Sequence, residues 1–239
     1  MLKNKVGKLF YFNKNMIDKK EVLTQADIEQ ELKQASLEER EADFSGKILS
    51  SLIIPNRTIE CSINLKDAVV MRAVSLENSV VKGKVDLSGA VLKESFFAAS
   101  AVIEQDLLFL NAKINGVVNL VNTVIKGTLN GTGLVVTGFL SLAKLQAKND
   151  VILRAVKISD VYHVGMIVRG DIYMREAMIL GGFDAGESFI EGSLDMMGAF
   201  VANNVNLNST VIGGSLIVKN ANLKSGLSLT NTRYREIIQ

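Results

Sequence analysis

His163 is the only histidine in this chain of 239 residues, and its side chain is the first candidate for acid–base chemistry. The ordinary pKa of an imidazole suits a general base near neutral pH. A general base also needs a nucleophile or an orienting carboxylate beside it, and no such residue can be assigned to His163. Two roles are open to it, a general base or a packed histidine tied to a backbone carbonyl, and the second is favoured.

Cys61 is the only cysteine, which excludes an internal disulfide and fits a reducing, cytoplasmic compartment. The chain lacks the Cys and His spacings that are typical of zinc sites. It also lacks a glycine-rich loop before a helix, which a phosphate site would need. We therefore predict no catalytic residue, no metal and no cofactor, and a protein that is not an enzyme.

Charge and apolar residues are distributed in a way that excludes two further classes of protein. The apolar content is 48%, but no run approaches the ~18 residues of a membrane span. Residues 1–20 carry six lysines against Asp18 and are +5, whereas residues 21–46 carry eight acidic residues against Lys33 and Arg40 and are −6. Because the whole chain is +2, residues 47–239 are +3. Neither a strongly basic nor a strongly acidic partner surface is indicated.

An internal repeat of eleven residues extends from about residue 47 to residue 239. Stepping by eleven from Gly83 in both directions gives eighteen units, with one step of ten between Asn149 and Ser159. The first residue of each unit is called the marker here. The markers in order are Ser50, Cys61, Arg72, Gly83, Glu94, Gln105, Gly116, Gly127, Gly138, Asn149, Ser159, Gly170, Gly181, Gly192, Asn203, Gly214, Ser225 and Glu236.

The positions around each marker predict which side chains point inward. The residue two after the marker is apolar in every unit, from Leu52 to Ile238, and the residue two before it is usually large and apolar, as in Ile48. Alternation with a period of two predicts strands, and a marker glycine suits a corner that needs positive φ or a close approach. The step of ten predicts that Ile158 points inward instead of Lys157. The same alignment predicts His163 inward, between Leu142 and Ala185.

One unit resembles the signature of the pentapeptide-repeat proteins. The segment Ala221-Asn222-Leu223-Lys224-Ser225 matches the pattern Ala-Asp/Asn-Leu-x-x, and Ala90-Val91-Leu92 keeps its small-x-large core. The resemblance covers residues 47–239 and implies an all-β, right-handed quadrilateral β-helix. Two units, or 22 residues, then make one coil, and eighteen units make about nine coils. Single units cannot bury their apolar side chains, so the coils must stack.

Residues 1–46 are predicted to form a basic arm followed by a helical cap. Residues 24–43 have helical character, with a capping box at Thr24 and Asp27 and a second possible start at Ser36. Ile28, Leu32 and Ala35 form a narrow apolar stripe that suits a cap over the first coil. The lysines of residues 1–20, beside Leu9–Phe12, suggest either peripheral contact with an anionic membrane or a strand packed on the first coil.

Two groups of apolar residues are candidates for contacts with other molecules. Leu227, Leu229, Tyr234 and Ile238 are expected to face an open C-terminal end, and the resemblance implies a homodimer that forms end to end through the C-terminal coil. A second group points outward by parity and suggests a contiguous protein interface. It comprises Phe97, Leu108, Phe139, Ile152, Tyr162 and Tyr173.

The function that these features favour is a non-enzymatic structural or protein-interaction scaffold whose partner is unknown. A first alternative is a membrane-attached filament, with the basic arm as its anchor and open ends that stack. A second alternative is a DNA mimic that binds a topoisomerase, as some pentapeptide-repeat proteins do. That role needs an acidic surface, and the +3 charge of residues 47–239 argues against it. Nucleic acid is not predicted as a partner, because the net charge of the whole chain is only +2.

Overall fold

The computed structural model describes residues 21–239 and shows a parallel β-solenoid of about ten turns, with about 22 residues per coil and one short helix near the N-terminus. The predicted all-β solenoid is therefore confirmed. The basic arm predicted for residues 1–20, with its possible membrane contact, lies outside the described residues.

Each coil contributes four short strands, which stack on the strands of neighbouring coils into four faces, numbered 1 to 4 in chain order around the coil. Face 1 contains Val22–Leu23, Ile48–Leu49, Val69–Val70, Val91–Leu92, Lys113–Ile114, Val135–Ser141, Lys157–Tyr162, Met178–Ile179, Phe200–Val201 and Asn222–Leu223. Face 2 contains Leu52–Ile53, Val74–Ser75, Phe96–Phe97, Val118–Asn119, Phe183–Asp184, Val205–Asn206 and Leu227–Ser228. The long strands Val135–Ser141 and Lys157–Tyr162 continue from face 1 into face 2 and join both faces into one sheet.

The other two faces are separate sheets. Face 3 contains Thr58–Ile59, Val80–Val81, Val102–Ile103, Val124–Ile125, Gln146–Ala147, Ile167–Val168, Phe189–Ile190 and Val211–Ile212. Face 4 contains Ala42–Asp43, Ile63–Asn64, Val85–Asp86, Leu107–Leu108, Leu129–Asn130, Val151–Ile152, Ile172–Tyr173, Leu194–Asp195, Ser215–Ile217 and Glu236–Ile238. In the order around a coil, face 1 is opposite face 3 and face 2 is opposite face 4.

The inward side chains form one continuous core along the solenoid. Leu87, Leu107, Leu194 and Leu216 are all fully buried, as the predicted register requires. The position two after the marker is buried in every unit from Leu52 to Leu216. Alternation therefore predicted the core correctly over most of the chain.

The register contains three one-residue deletions, whereas the sequence predicted one. The predicted deletion is confirmed, because Ile158 is buried and Phe139 pairs with Asp160. A second deletion lies at the start, where Ile48 and Leu49 pair with Val69 and Val70. Leu49 is therefore the inward residue, and the prediction of Ile48 was wrong.

The third deletion lies in the last coil, where Leu216 pairs with Ile237 and Ile217 pairs with Ile238. Ile237 therefore points inward and packs against the core, while Ile238 points outward with 37% of its surface exposed. The prediction that Ile238 points inward was wrong. All three deletions lie at marker corners, where the coil can lose a residue without changing the strand that follows.

The left-handed residues of the coils lie six residues after each marker, with Gly226 beside marker Ser225 as an additional one. None of the marker glycines has a positive φ, whereas Gly89, six residues after Gly83, has a φ of 71°. A Cβ atom on Gly83 would lie 2.6 Å from the backbone nitrogen of Ser62 in the preceding coil. Of the two reasons predicted for a marker glycine, positive φ or close approach, close approach of two coils thus explains the glycine at Gly83.

Exchanging glycine and alanine at two successive left-handed corners is expected to change stability in opposite directions. Ala155 has a φ of 52°, and Gly165, the next such residue, has a φ of 71°. An alanine at position 165 would meet only the Lys144 Cγ at 3.6 Å, an ordinary contact, so the change tests the backbone alone. We expect Ala155→Gly to raise the free energy of unfolding by about 1 kcal/mol and Gly165→Ala to lower it by about the same amount. Urea unfolding of both variants checks this, and a shift of the same sign in both would contradict it.

The helix α1, Gln25–Leu37, covers the N-terminal end of the core. The predicted capping box is present, because the Thr24 hydroxyl accepts from the Asp27 N–H and the Asp27 carboxylate accepts from the Thr24 N–H at 2.7 Å. The predicted stripe Ile28, Leu32 and Ala35 is buried. The helix ends before residue 43, contrary to the prediction, because Glu39 adopts a φ of 52° and the chain then joins face 4 at Ala42–Asp43.

Candidate functional site

His163 occupies the predicted inward position, at the level of Leu142 and Ala185 in the neighbouring coils. Its side chain is 1% exposed, and its ring lies edge-on against Phe183 with 4.8 Å between the ring centroids. Nδ1 has no hydrogen-bond partner among the described residues, so the predicted bond to a backbone carbonyl is absent at this atom. Burial lowers the pKa of His163 to about 3. A neutral, enclosed imidazole cannot reach a substrate in this arrangement.

Cys61 is also buried, and its Sγ lies 4.0 Å from the carbonyl oxygen of Leu32 in α1. Burial raises the pKa of the Cys61 thiol, which disfavours the reactive thiolate. Within residues 21–239, no group of three or more His, Cys, Asp or Glu side chains is arranged to hold a metal ion.

The six outward apolar residues lie on the surface, but the structure divides them between two opposite faces. Phe97 and Tyr162 lie on face 2, and Phe139 contacts Tyr162 from the adjoining corner with 5.8 Å between their ring centroids. The other three lie on face 4, namely Leu108, Ile152 and Tyr173. Asn119 and Ser141 separate Phe97 from Tyr162, and Asn130 separates Leu108 from Ile152. Only two pairs are therefore contiguous, Phe139 with Tyr162 on face 2 and Ile152 with Tyr173 on face 4, in place of the single surface that the sequence suggested.

The face 4 patch is bounded by side chains that already have polar partners. The Tyr173 hydroxyl donates to the Asp171 carboxylate at 2.7 Å, which raises the pKa of Tyr173. The Arg154 guanidinium lies 4.9 Å from the Tyr173 ring centroid, within cation–π range. Tyr173 is consequently half-buried and held in one orientation, so this patch offers less free apolar surface than the pair on face 2.

A longer apolar row, not predicted from the sequence, lies on face 3. Ile167 pairs with Phe189 in the next coil, and their side chains are 42% and 44% exposed. From Val80 to Val211, beyond Thr58 in the first strand, the row is apolar at every level but that of Gln146 and comprises Val80, Val102, Val124, Ile167, Phe189 and Val211. The signal was present, because each of these residues lies three before a marker. A parallel row of charged residues borders it, in which Glu104 pairs with Lys82 and Lys126.

The last coil has exposed strand edges and half-buried apolar side chains in the part of the chain that is described. Leu227–Ser228 and Glu236–Ile238 each pair with one neighbouring strand. Leu227 and Leu229 are partly buried and pack against the core, while Tyr234 is 36% exposed. Of the four residues predicted at this end, Leu227, Leu229 and Tyr234 lie there, and Ile238 points outward instead.

At the opposite end, side chains cover the strand edges of faces 2 and 4. The Gln25 amide donates to the Ile53 carbonyl at 2.8 Å and accepts from the Ile53 N–H at 3.3 Å. On face 4, the Asp43 N–H donates to the Glu31 carboxylate at 3.1 Å, and the Lys47 ammonium donates to the Asp43 carbonyl at 2.7 Å. These bonds replace the ladder bonds of a further strand and protect both edges from pairing with other chains.

Among residues 21–239, no side chain gives such cover to the first strand of face 3. A groove of about 700 Å³ lies between Thr58–Ile59 and the exposed side of α1. Leu37, at the C-terminal end of α1, lines this groove with 77% of its surface exposed, and the ion pair of Arg57 with Glu29 bounds it.

Comparison with protein-family models, with curated proteins and with solved structures found no match to this chain. No helix in residues 21–239 is long and apolar enough to cross a membrane. The architecture alone thus defines the class, a rigid parallel β-solenoid whose two ends differ.

Proposed function

We propose that this protein is a non-enzymatic scaffold of the pentapeptide-repeat type that self-associates end to end through its C-terminal coil. The observation that carries the proposal is the difference between the two ends. At the N-terminal end α1 buries Ile28 and Leu32 over the core, whereas at the C-terminal end Leu227 and Leu229 are only partly buried. Apolar side chains beside unpaired strand edges favour association with another strand edge.

The difference between the ends also favours a closed pair over a filament. Stacking head to tail would require α1 to leave the core of each added copy, which would expose Ile28, Leu32 and Ala35. Pairing of two C-terminal ends around a two-fold axis leaves α1 in place and stops at two copies. The lone, buried Cys61 supports a reducing compartment such as the cytoplasm for this scaffold.

The pair should be measurable by light scattering and sedimentation as a function of concentration. A chain of 26.0 kDa is expected to approach twice that mass at high concentration. Replacing Tyr234, which is 36% exposed, with lysine places like charges at the contact and should weaken association at least tenfold, or about 1.4 kcal/mol. Leu227→Lys should act in the same direction.

Leu180→Lys is the matched control. Leu180 follows directly after the face 1 strand Met178–Ile179, away from both ends, and 58% of its surface is exposed. It should leave the mass unchanged. A strictly monomeric wild-type particle at high concentration would remove the proposed association, and long polymers would favour the filament instead.

A further inference from the structure

The first strand of face 3 has backbone donors that no described residue uses. In the next coil, the Val80 N–H donates to the Arg57 carbonyl at 2.8 Å and the Lys82 N–H donates to the Ile59 carbonyl at 2.9 Å. Thr58 is the register partner of Val80, so the N–H groups of Thr58 and Glu60 point away from that coil, towards α1. Within residues 21–239, no backbone or side-chain oxygen accepts from either group.

This open edge is specific to face 3 among the three faces that begin below α1. The corresponding groups of Ile53 and Asp43 are covered by Gln25, Glu31 and Lys47. Buried or covered strand edges are the usual state of a protein, because a free edge pairs with other chains. An uncovered edge beside a groove is the geometry that receives an added strand.

The groove has the size and the surface to receive such a strand. Its volume of about 700 Å³ falls within the range of roughly 300–1,000 Å³ that is usual for ligand sites. Leu37 offers an exposed apolar wall, and Lys33 and Glu60 carry charges that have no ion-pair partner among the described residues.

We propose that this groove binds an extended peptide segment of another protein, which adds a strand to face 3 beside Thr58–Ile59. Two of its carbonyls, on residues two apart, accept from the N–H groups of Thr58 and Glu60. An apolar side chain of the segment packs on Leu37. An acidic and a basic side chain of the segment pair with Lys33 and Glu60.

The inference rests on the proposed scaffold role, since it supplies the scaffold with a partner site. The groove lies at the end opposite the C-terminal coil, so failure of one site leaves the other measurable. Tyr234→Lys should abolish self-association and leave peptide binding unchanged.

The test is selection of random twelve-residue peptides displayed on phage against the full chain, followed by affinity measurement on the enriched peptides. Thr58→Pro removes one donor that no described residue uses, at the first residue of an edge strand where proline is tolerated. We expect it to weaken binding at least tenfold. Leu37→Lys, on an exposed side chain, should do the same, and Leu180→Lys should change affinity less than twofold.

Amide hydrogen exchange supplies an independent measurement. The Thr58 and Glu60 amides should exchange rapidly in the free chain and slowly in the complex. Enrichment of no peptide, or equal binding by Thr58→Pro and Leu37→Lys, would overturn the proposal. Slow exchange of both amides in the free chain that becomes fast when residues 1–20 are deleted would also overturn it, because the chain itself would then fill the groove.

Discussion

Replacing Phe96 with alanine is expected to lower the free energy of unfolding by about 3–5 kcal/mol. The Phe96 side chain is fully buried on face 2, in register with Val74 and Val118 of the neighbouring coils. Its ring lies edge-on to Phe109 at 5.0 Å between centroids. The coils on both sides are fixed by backbone hydrogen bonds such as that from the Phe96 N–H to the Val117 carbonyl, so the core cannot close over the cavity. Urea unfolding followed by far-ultraviolet circular dichroism measures the loss.

The adjacent residue, Phe97, is the matched control, because the same side chain lies on the other side of the same strand. Phe97 is half-buried on the outer surface, so Phe97→Ala is expected to cost about 1 kcal/mol, well below the cost at Phe96. The pair tests the inward register directly, since a shift of one residue exchanges the two environments. Equal costs, or a larger cost for Phe97→Ala, would show that the register is wrong.

The repeat predicted the fold because alternation and period agree along the whole solenoid. Where one residue of a pair is charged, as in Lys157 and Ile158, the sequence also shows which of them is buried. Ile48 and Leu49 are both apolar, so either parity satisfies the hydrophobic pattern there. Only the pairing of Ile48 with Val69 decides between them. The same ambiguity explains the wrong assignment of Ile238.

The left-handed corners could have been predicted from the same repeat. Asn56 and Asn78 lie 22 residues apart, as do Asn111 and Gly133, and all four have positive φ. Asparagine and glycine are the residues that tolerate this conformation most readily. This signal lies between the markers, at positions that the alternation of apolar residues does not include.

The covered and open strand edges could not be predicted from the repeat. Gln25 bonds to Ile53, which is 28 residues away in the chain, and the contact depends on the angle at which α1 crosses the first coil. That angle depends on how the apolar stripe of α1, which contains Leu32, packs on the first coil. No short-range sequence pattern predicts it. The candidate site at Thr58 therefore depends on long-range backbone contacts that the repeat does not specify.

Acidification from pH 7 to pH 5 is expected to lower the free energy of unfolding by about 2 kcal/mol through His163 alone. An unfolded histidine has a pKa of about 6.5, whereas burial lowers the pKa of folded His163 to about 3. Between these values the unfolded chain binds a proton that the folded chain excludes, so stability falls as pH falls, by about 1.4 kcal/mol per pH unit. The residues that contact or stack on the ring, Phe183, Leu142 and Ala185, carry no charge that could stabilise an imidazolium.

Two substitutions separate this titration from the cost of burying a polar ring. His163→Leu, which continues the column of Leu142, should abolish the pH dependence between pH 7 and pH 5. It should also raise stability at pH 7 by about 1–3 kcal/mol, because Nδ1 has no hydrogen-bond partner in the described part of the chain. His163→Gln should abolish the pH dependence without that gain, since it also buries polar atoms. Carboxylates with lowered pKa, such as Asp86, lose their stabilising effect only below about pH 4–5, so they do not contribute in this window. Urea unfolding of the wild type and both variants at pH 7 and pH 5 measures the effect. If the free energy of unfolding falls equally in His163→Leu and in the wild type, the pH dependence belongs to other groups.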